Sequence, residues 1–207
     1  MKIGIIADGQ AEVVALRELL SRIDIAGIQF SSILYADMQP YAPPGQIFQA
    51  AKSRLSICEQ RGCERRIVLL DYEDRNGCPG VWAKTIEETF STNGYSNVTV
   101  VVKNRAFENW LVADLGSLRE KHGKRYKIAD RLIERVKASG ADNVNARNLL
   151  NNCVKDEYSK RKDAIEICKV VNPSVVAANS RSFRRLLKVI EMKPQNLKPG
   201  PGRKTGV

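Results

Sequence analysis

The sequence has a single histidine, His122, among its 207 residues. Metal motifs built on histidine pairs are therefore excluded, and the Lys-His-Gly-Lys setting of His122 reads as a solvated loop. Cysteines are few and unpatterned. Cys58, Cys63, Cys78, Cys153 and Cys168 are odd in number and never spaced as CxxC, so neither a disulfide framework nor a zinc site follows. Three of them fall at apolar positions of expected helices, where cysteine packs as a small core residue. Neither GxxxxGK[ST] nor GxGxxG occurs, which removes the common phosphate-cradling loops. Long apolar runs are also missing: Ile67–Leu70 and Val98–Val102 fall far short of a bilayer span. Met1-Lys2 leads straight into a strand-like run, without the apolar core and cleavage site of a signal peptide. The expectation is a cytoplasmic protein with no membrane contact.

With 43% apolar and 28% charged residues, the chain suits one domain with a full core. Its net charge of +11 is unevenly spread. Residues 1–118 carry 12 basic and 14 acidic side chains, a net of −2, whereas residues 119–207 carry 22 and 9, a net of +13. A basic half joined to a neutral half with clustered carboxylates is a common footprint of a polyanion partner, although a solubilising surface has the same composition.

Strand-like and helix-like segments alternate through the first part of the chain. Lys2–Ala7 is a short apolar run that ends at Asp8-Gly9, and from Gln10 the residues Val13, Val14, Leu16, Leu20 and Ile23 recur with helical spacing. Ile28–Ala36 reads as a second strand, and a helix follows Pro43-Pro44-Gly45 through Ile47, Ala51, Leu55 and Cys58. Arg66–Leu70 is a strand of the parallel type, Pro79-Gly80 opens a helix, and Val98–Val102 is a further strand. This order predicts an α/β fold, a parallel sheet flanked by helices, over residues 1–118. Residues 119–192 read as a helical C-terminal portion of the same domain, with apolar faces at Ile128, Leu132, Val136 and at Phe183, Leu186, Leu187, Ile190. Residues 193–207 form a Pro/Gly-rich basic tail without an acid, which predicts disorder.

Carboxylates cluster after the strands. Asp8 and Glu12 flank the turn after the first strand, Asp71, Glu73 and Asp74 follow a later one, and Glu108 lies beyond Val98–Val102. In a parallel sheet all these places lie at the carboxyl edge, where such folds bind ligands. Acidic groups converging there repel one another unless a cation compensates, and carboxylate oxygens suit Mg²⁺ or Mn²⁺. Each also has a plainer role: Asp8-Gly9 as a turn, Glu12 as negative charge at a helix start, and Asp71–Asp74 as a solvated loop.

Five strings resemble two related families. Ile5-Ile6-Ala7-Asp8-Gly9-Gln10-Ala11-Glu12 resembles the strand plus Glu-Gly-x-x-Glu of TOPRIM domains, particularly those of overcoming-lysogenization-defect nucleases. Leu69–Asp74 resembles their strand followed by Asp-x-Asp. Phe107–Asp114 is similar to the Glu-x-Trp-Leu-x-x-Asp signature of a stand-alone TOPRIM-like family of unknown function, and Tyr158-Ser159-Lys160 and Ser180–Phe183 resemble its C-terminal part. Two positions depart from the pattern, with Asp8 in place of Glu and Glu73 in place of Asp.

The resemblance implies a TOPRIM-type nuclease, with Mg²⁺ or Mn²⁺ held by Asp8, Glu12, Asp71 and Glu73 and with Asp74 and Glu108 as further ligands. Glu12, Asp71 and Glu73 would serve catalysis, and Lys103 or Arg105 would stabilise the transition state. It also implies a setting in phage defence beside a partner ATPase, with the basic half gripping the nucleic-acid backbone. The competing expectation is a non-catalytic nucleic-acid-binding or ATPase-partner module; oligomeric state is left open. Glu108 and Trp110 lie about 200° apart on a helix, which predicts Glu108 at the site and Trp110 in the core.

Overall fold

The computed structural model describes residues 1–23, 27–39 and 41–191, so the basic tail lies outside the described residues. Four strands, β1 (Lys2–Ala7), β2 (Gln29–Tyr35), β3 (Arg65–Asp71) and β4 (Val98–Lys103), form an all-parallel sheet in the order β2-β1-β3-β4. Every residue of β3 and β4 is buried. Burial on both faces is why these strands read as continuous apolar runs rather than as an alternation.

Strand geometry divides the side chains between two cores. Ile6, Val68, Leu70, Val100 and Val102 pack against α2 (Pro44–Gln60) and α3 (Pro79–Thr92) through Ile47, Phe48, Leu55, Ile86 and Phe90. Gly4 faces α2 as well. A Cβ there would lie 2.5 Å from Cys58 Sγ, so only glycine permits this approach of strand and helix. Ile3, Ile5, Ala7, Ile67, Leu69 and Val101 face the other way, toward α1 (Gln10–Leu20) and the C-terminal helices.

Those helices are α4 (Glu108–Leu111), α5 (Leu115–His122), α6 (Asp130–Ser139), α7 (Ala146–Cys153), α8 (Lys160–Val170), α9 (Pro173–Asn179) and α10 (Arg181–Glu191). α8 packs along α1, and α10 lies against β4. Residues of β1, α1, α8 and α10 thus share one hydrophobic cluster, and the helical portion completes the core of the sheet. Residue 118, where the α/β part was expected to end, falls inside α5.

Trp110 is fully buried, as its spacing predicts. Its ring lies edge-on to Phe107 and Phe183 at 5.7 and 5.1 Å, and its Nε1 donates to Ser182 Oγ at 2.8 Å. Cys58, Cys153 and Cys168 are buried on helices, whereas Cys78 is exposed. His122 is half-buried at the end of α5 and not in a loop, because the apolar rows of Leu115 and Leu118 carry the helix through to it.

Candidate metal centre

The strand order places β2 and β3 on opposite sides of β1. The reversal between β1 and β3 creates a crevice at their carboxyl ends, the usual ligand position of open α/β sheets. Asp8 directly follows β1 and Asp71 is the last residue of β3. The two are tied by the Asp71 backbone N–H, which donates to Asp8 Oδ2 at 2.7 Å.

Glu12 enters from the first turn of α1. Its side chain shares the buried face of that helix with Ala15, Leu16, Leu19 and Leu20. Spacing alone put Val13 and Val14 on this face, yet Val14 is 46% exposed. The stripe facing the sheet follows 12-15-16-19, the i, i+3, i+4, i+7 rows of a helix, so a carboxylate occupies a core position. Asp8, Glu12 and Asp71 offer oxygens that all lie within 4.8 Å of one another.

The ammonium of Lys103, the last residue of β4 and the register partner of Asp71, sits among them. Its Nζ lies 2.8 Å from Asp8 Oδ1, 2.6 Å from Glu12 Oε2 and 2.9 Å from Asp71 Oδ1. One buried positive charge thus faces three carboxyl groups where water is excluded. Burial pushes Glu12 well above the usual carboxylate range; Asp8 and Asp71 add to this, and Lys103 opposes it. Asp71 is pushed up to about 6, again by burial first, with Lys103 pulling the other way. Burial works against the charge on Lys103 too, but Asp71, Asp8 and Glu12 outweigh it and hold the ammonium well above the ordinary lysine range. Glu12 Oε1 is buried and has no hydrogen-bond partner among the described residues.

A second ring surrounds this core. Glu73 is half-exposed, and burial raises its carboxyl, with Lys160 opposing and Glu108, Asp74 and Asp8 reinforcing. Its φ of 53° is matched across the gap by the φ of 70° at Arg105, and the Glu73 N–H donates to the Arg105 carbonyl at 2.8 Å. Two non-glycine residues in the left-handed region, bonded to each other, mark locally strained loops. Arg105 contributes this backbone contact while its side chain is exposed, and Asp74 is exposed as well. Glu108 is buried and pairs with Lys160 of α8, its Oε1 3.5 Å from Nζ. The structure therefore brings Asp8, Glu12, Asp71 and Lys103 into direct contact. It sets Glu73, Glu108 and Lys160 around them and leaves the side chains of Asp74 and Arg105 toward solvent.

Residues 7–191 match the family described as a domain of unknown function, DUF4276. The chain belongs to that family. No curated protein matches it, and no solved structure does.

The matched span of this DUF4276 chain includes every residue of the centre, among them Lys160, which the reading of carboxylate spacing missed. Burial works against the Lys160 charge, but Glu108, Asp71 and Glu12 hold it above the ordinary lysine range. A signal for it exists in the sequence. Lys160 is the first residue of α8, after the capping residue Ser159, and a cation is disfavoured at a helix N-terminus unless an acid compensates it. Five carboxyl groups and two lysines from six segments of the chain thus converge at one sheet edge.

Proposed function

We propose that this chain hydrolyses phosphodiester bonds in nucleic acid with Mg²⁺ or Mn²⁺ held by Asp8, Glu12 and Asp71, as a TOPRIM-type nuclease would. The observation that carries this reading is the buried trio of carboxylates within 4.8 Å, which includes an oxygen of Glu12 with no partner among the described residues. Hard carboxylate donors at this spacing suit a small divalent cation, so the residues fit the ion. A bound cation would act as a Lewis acid and lower the pKa of coordinated water. The chain itself would supply Lys103 and Lys160 to balance charge on the phosphate and Glu73, with its raised carboxyl, to exchange a proton near the reacting group. Basic residues of 119–191, such as the exposed Arg161 and Lys162 beside Lys160, would hold the phosphate backbone. Joint action with a partner ATPase in phage defence extends the same proposal, since any nucleotide dependence would have to come from such a partner.

One observation favours a second reading. Lys103 already contacts all three carboxylates, so the cluster is also consistent with a nucleic-acid-binding or ATPase-partner module without metal chemistry. A single experiment separates the two. Labelled single- and double-stranded DNA and RNA are incubated with the protein in Mg²⁺ or Mn²⁺, with EDTA and Asp71→Asn as controls, while calorimetry follows metal binding. Cleavage that needs both the metal and Asp71 is the expected result. Oligonucleotide binding without metal uptake or cleavage would refute the nuclease reading and leave the binding module.

A further inference from the structure

Only three large apolar side chains are strongly exposed among the described residues, and two of them, Tyr41 at 64% and Val81 at 66%, lie in connections on the same side of the sheet as the acidic cluster. Tyr41 lies in the connection from β2 to α2, and Val81 and Trp82 lie in the first turn of α3. In a parallel sheet both segments emerge at the same carboxyl edge as Asp71. Between them lies Arg75, in the loop that also carries Glu73. Its guanidinium carbon is 4.2 Å from the Trp82 ring centroid and 5.5 Å from that of Tyr41, and its NH2 group donates to the Ala42 carbonyl at 3.2 Å. Tyr72, the residue directly after Asp71, packs edge-on against Trp82 at 5.9 Å and donates its hydroxyl to the Asn76 carbonyl at 3.0 Å.

A cation–π clamp joining two loops accounts for Arg75 and the inner face of Trp82. It does not account for Val81 or for the outer face of Tyr41, which stay in water where burial would favour them. From this we infer that the Tyr41–Arg75–Trp82 stack is a platform for an unpaired base of single-stranded nucleic acid, beside the reacting centre. The inference rests on nucleic acid being the ligand proposed above. The guanidinium lies against both rings and holds them in place, and the solvent-facing π-surfaces of Tyr41 and Trp82 take any base, because every base has a π-face. A duplex keeps its bases stacked inside and cannot offer one without flipping it out. The occupant is therefore a single strand.

Fluorescence reads this directly. The protein has two tryptophans, of which Trp110 is fully buried and Trp82 is half-exposed, so a base stacking on the rim quenches Trp82 alone. The full chain is titrated with oligo-dT and with a duplex of equal length at constant salt, in EDTA so that nothing is cleaved. Quenching by oligo-dT but not by duplex is expected, and it should vanish in Trp82→Phe. Tyr41→Ala should bind about tenfold more weakly, with Tyr41→Phe retaining wild-type affinity. Absence of oligo-dT binding, preference for duplex, or wild-type binding and quenching in Tyr41→Ala would each overturn the platform. Stacking without cleavage when metal is restored would refute the nuclease and keep the platform. Metal-dependent cleavage untouched by Tyr41→Ala, with wild-type binding, would do the reverse.

Discussion

Replacing Lys103 by Met keeps the apolar stem and removes the only cation in direct contact with Asp8, Glu12 and Asp71 among the described residues. Three carboxyl groups with side chains at most 8% exposed are then left within 4.8 Å of one another. Removing one member of a buried ion cluster costs about 3–5 kcal/mol. That is a large part of the roughly 5–15 kcal/mol that holds a domain together. For a chain of this size each kcal/mol moves the midpoint by about 2–4 °C, so Lys103→Met should melt some 6–20 °C lower in EDTA at pH 8. Two remedies follow from the same electrostatics. Acid should restore stability by protonating the carboxylates, and Mn²⁺ should restore it by taking up the surplus negative charge. A ligand at a hundred times its Kd contributes about 2.7 kcal/mol, and the variant should gain more from Mn²⁺ than the wild type does. Thermal melts of both proteins across pH and metal concentration test this. A variant as stable as wild type in EDTA at pH 8 would refute Lys103 as the counterion of the cluster. Equal stabilisation of both proteins by Mn²⁺ would refute a metal that draws on the same oxygens.

Asp71 titrates at about 6 rather than the ordinary 3.8, so between those values the folded protein binds a proton that the unfolded chain releases. Its contribution to stability is present below the unfolded pKa and is lost as pH rises through the folded one, by roughly 3 kcal/mol in total. The difference between wild type and Asp71→Asn in urea denaturation should therefore slope from about pH 4 to pH 6 and be flat above; a flat difference throughout would mean that Asp71 is solvated in the folded state. Gly4→Ala forces a Cβ to 2.5 Å from Cys58 Sγ and 3.2 Å from Cys63 Sγ, and both cysteines are buried. A loss of about 1–3 kcal/mol is expected, partly recovered in Gly4→Ala/Cys58→Ala, and additive effects in that double-mutant cycle would refute the contact.

The sheet was legible because β1, β3 and β4 are buried on both faces. Lys2–Ala7 reads with the same bounds in sequence and structure, and α3 opens at Pro79 as the Pro-Gly pair implies. Legibility failed where charge replaces hydrophobicity. Arg66–Leu70 extends to Arg65–Asp71 and Val98–Val102 extends to Lys103, because the flanking charged residues are buried and bonded within the sheet. For the same reason the face of α1 was misplaced. A pattern that counts only apolar residues cannot place Glu12 in the core, although its row partner Leu16 was part of that pattern. Carboxylates near strand ends were found because the topology of parallel sheets fixes where such ends point. Lys160 was not, since no local periodicity links the start of α8 to a site built from β1, β3 and β4.

The energetics supply the remaining argument for treating this cluster as a site. Desolvating a carboxylate or an ammonium costs several kcal/mol, and buried ion clusters are often matched or bettered by apolar residues of similar volume. Glu12 stands on an apolar stripe where leucine would pack against Ala15, Leu16 and Leu19, and Lys103 ends a strand whose other residues are valine and threonine. Neither residue is needed to join β1 to β3, which are held by their ladder and by the Asp71–Asp8 contact. The same edge holds the two strained loop residues, Glu73 and Arg105, whose left-handed backbones cost of order 1 kcal/mol each. Burial of charge, an oxygen without a partner among the described residues and backbone strain are three separate costs, and in this chain they coincide at the β1–β3 switch point. A fold optimised for stability alone would have removed each of them independently. Their coincidence at the ligand-binding edge is the physical ground for testing metal and nucleic acid there first.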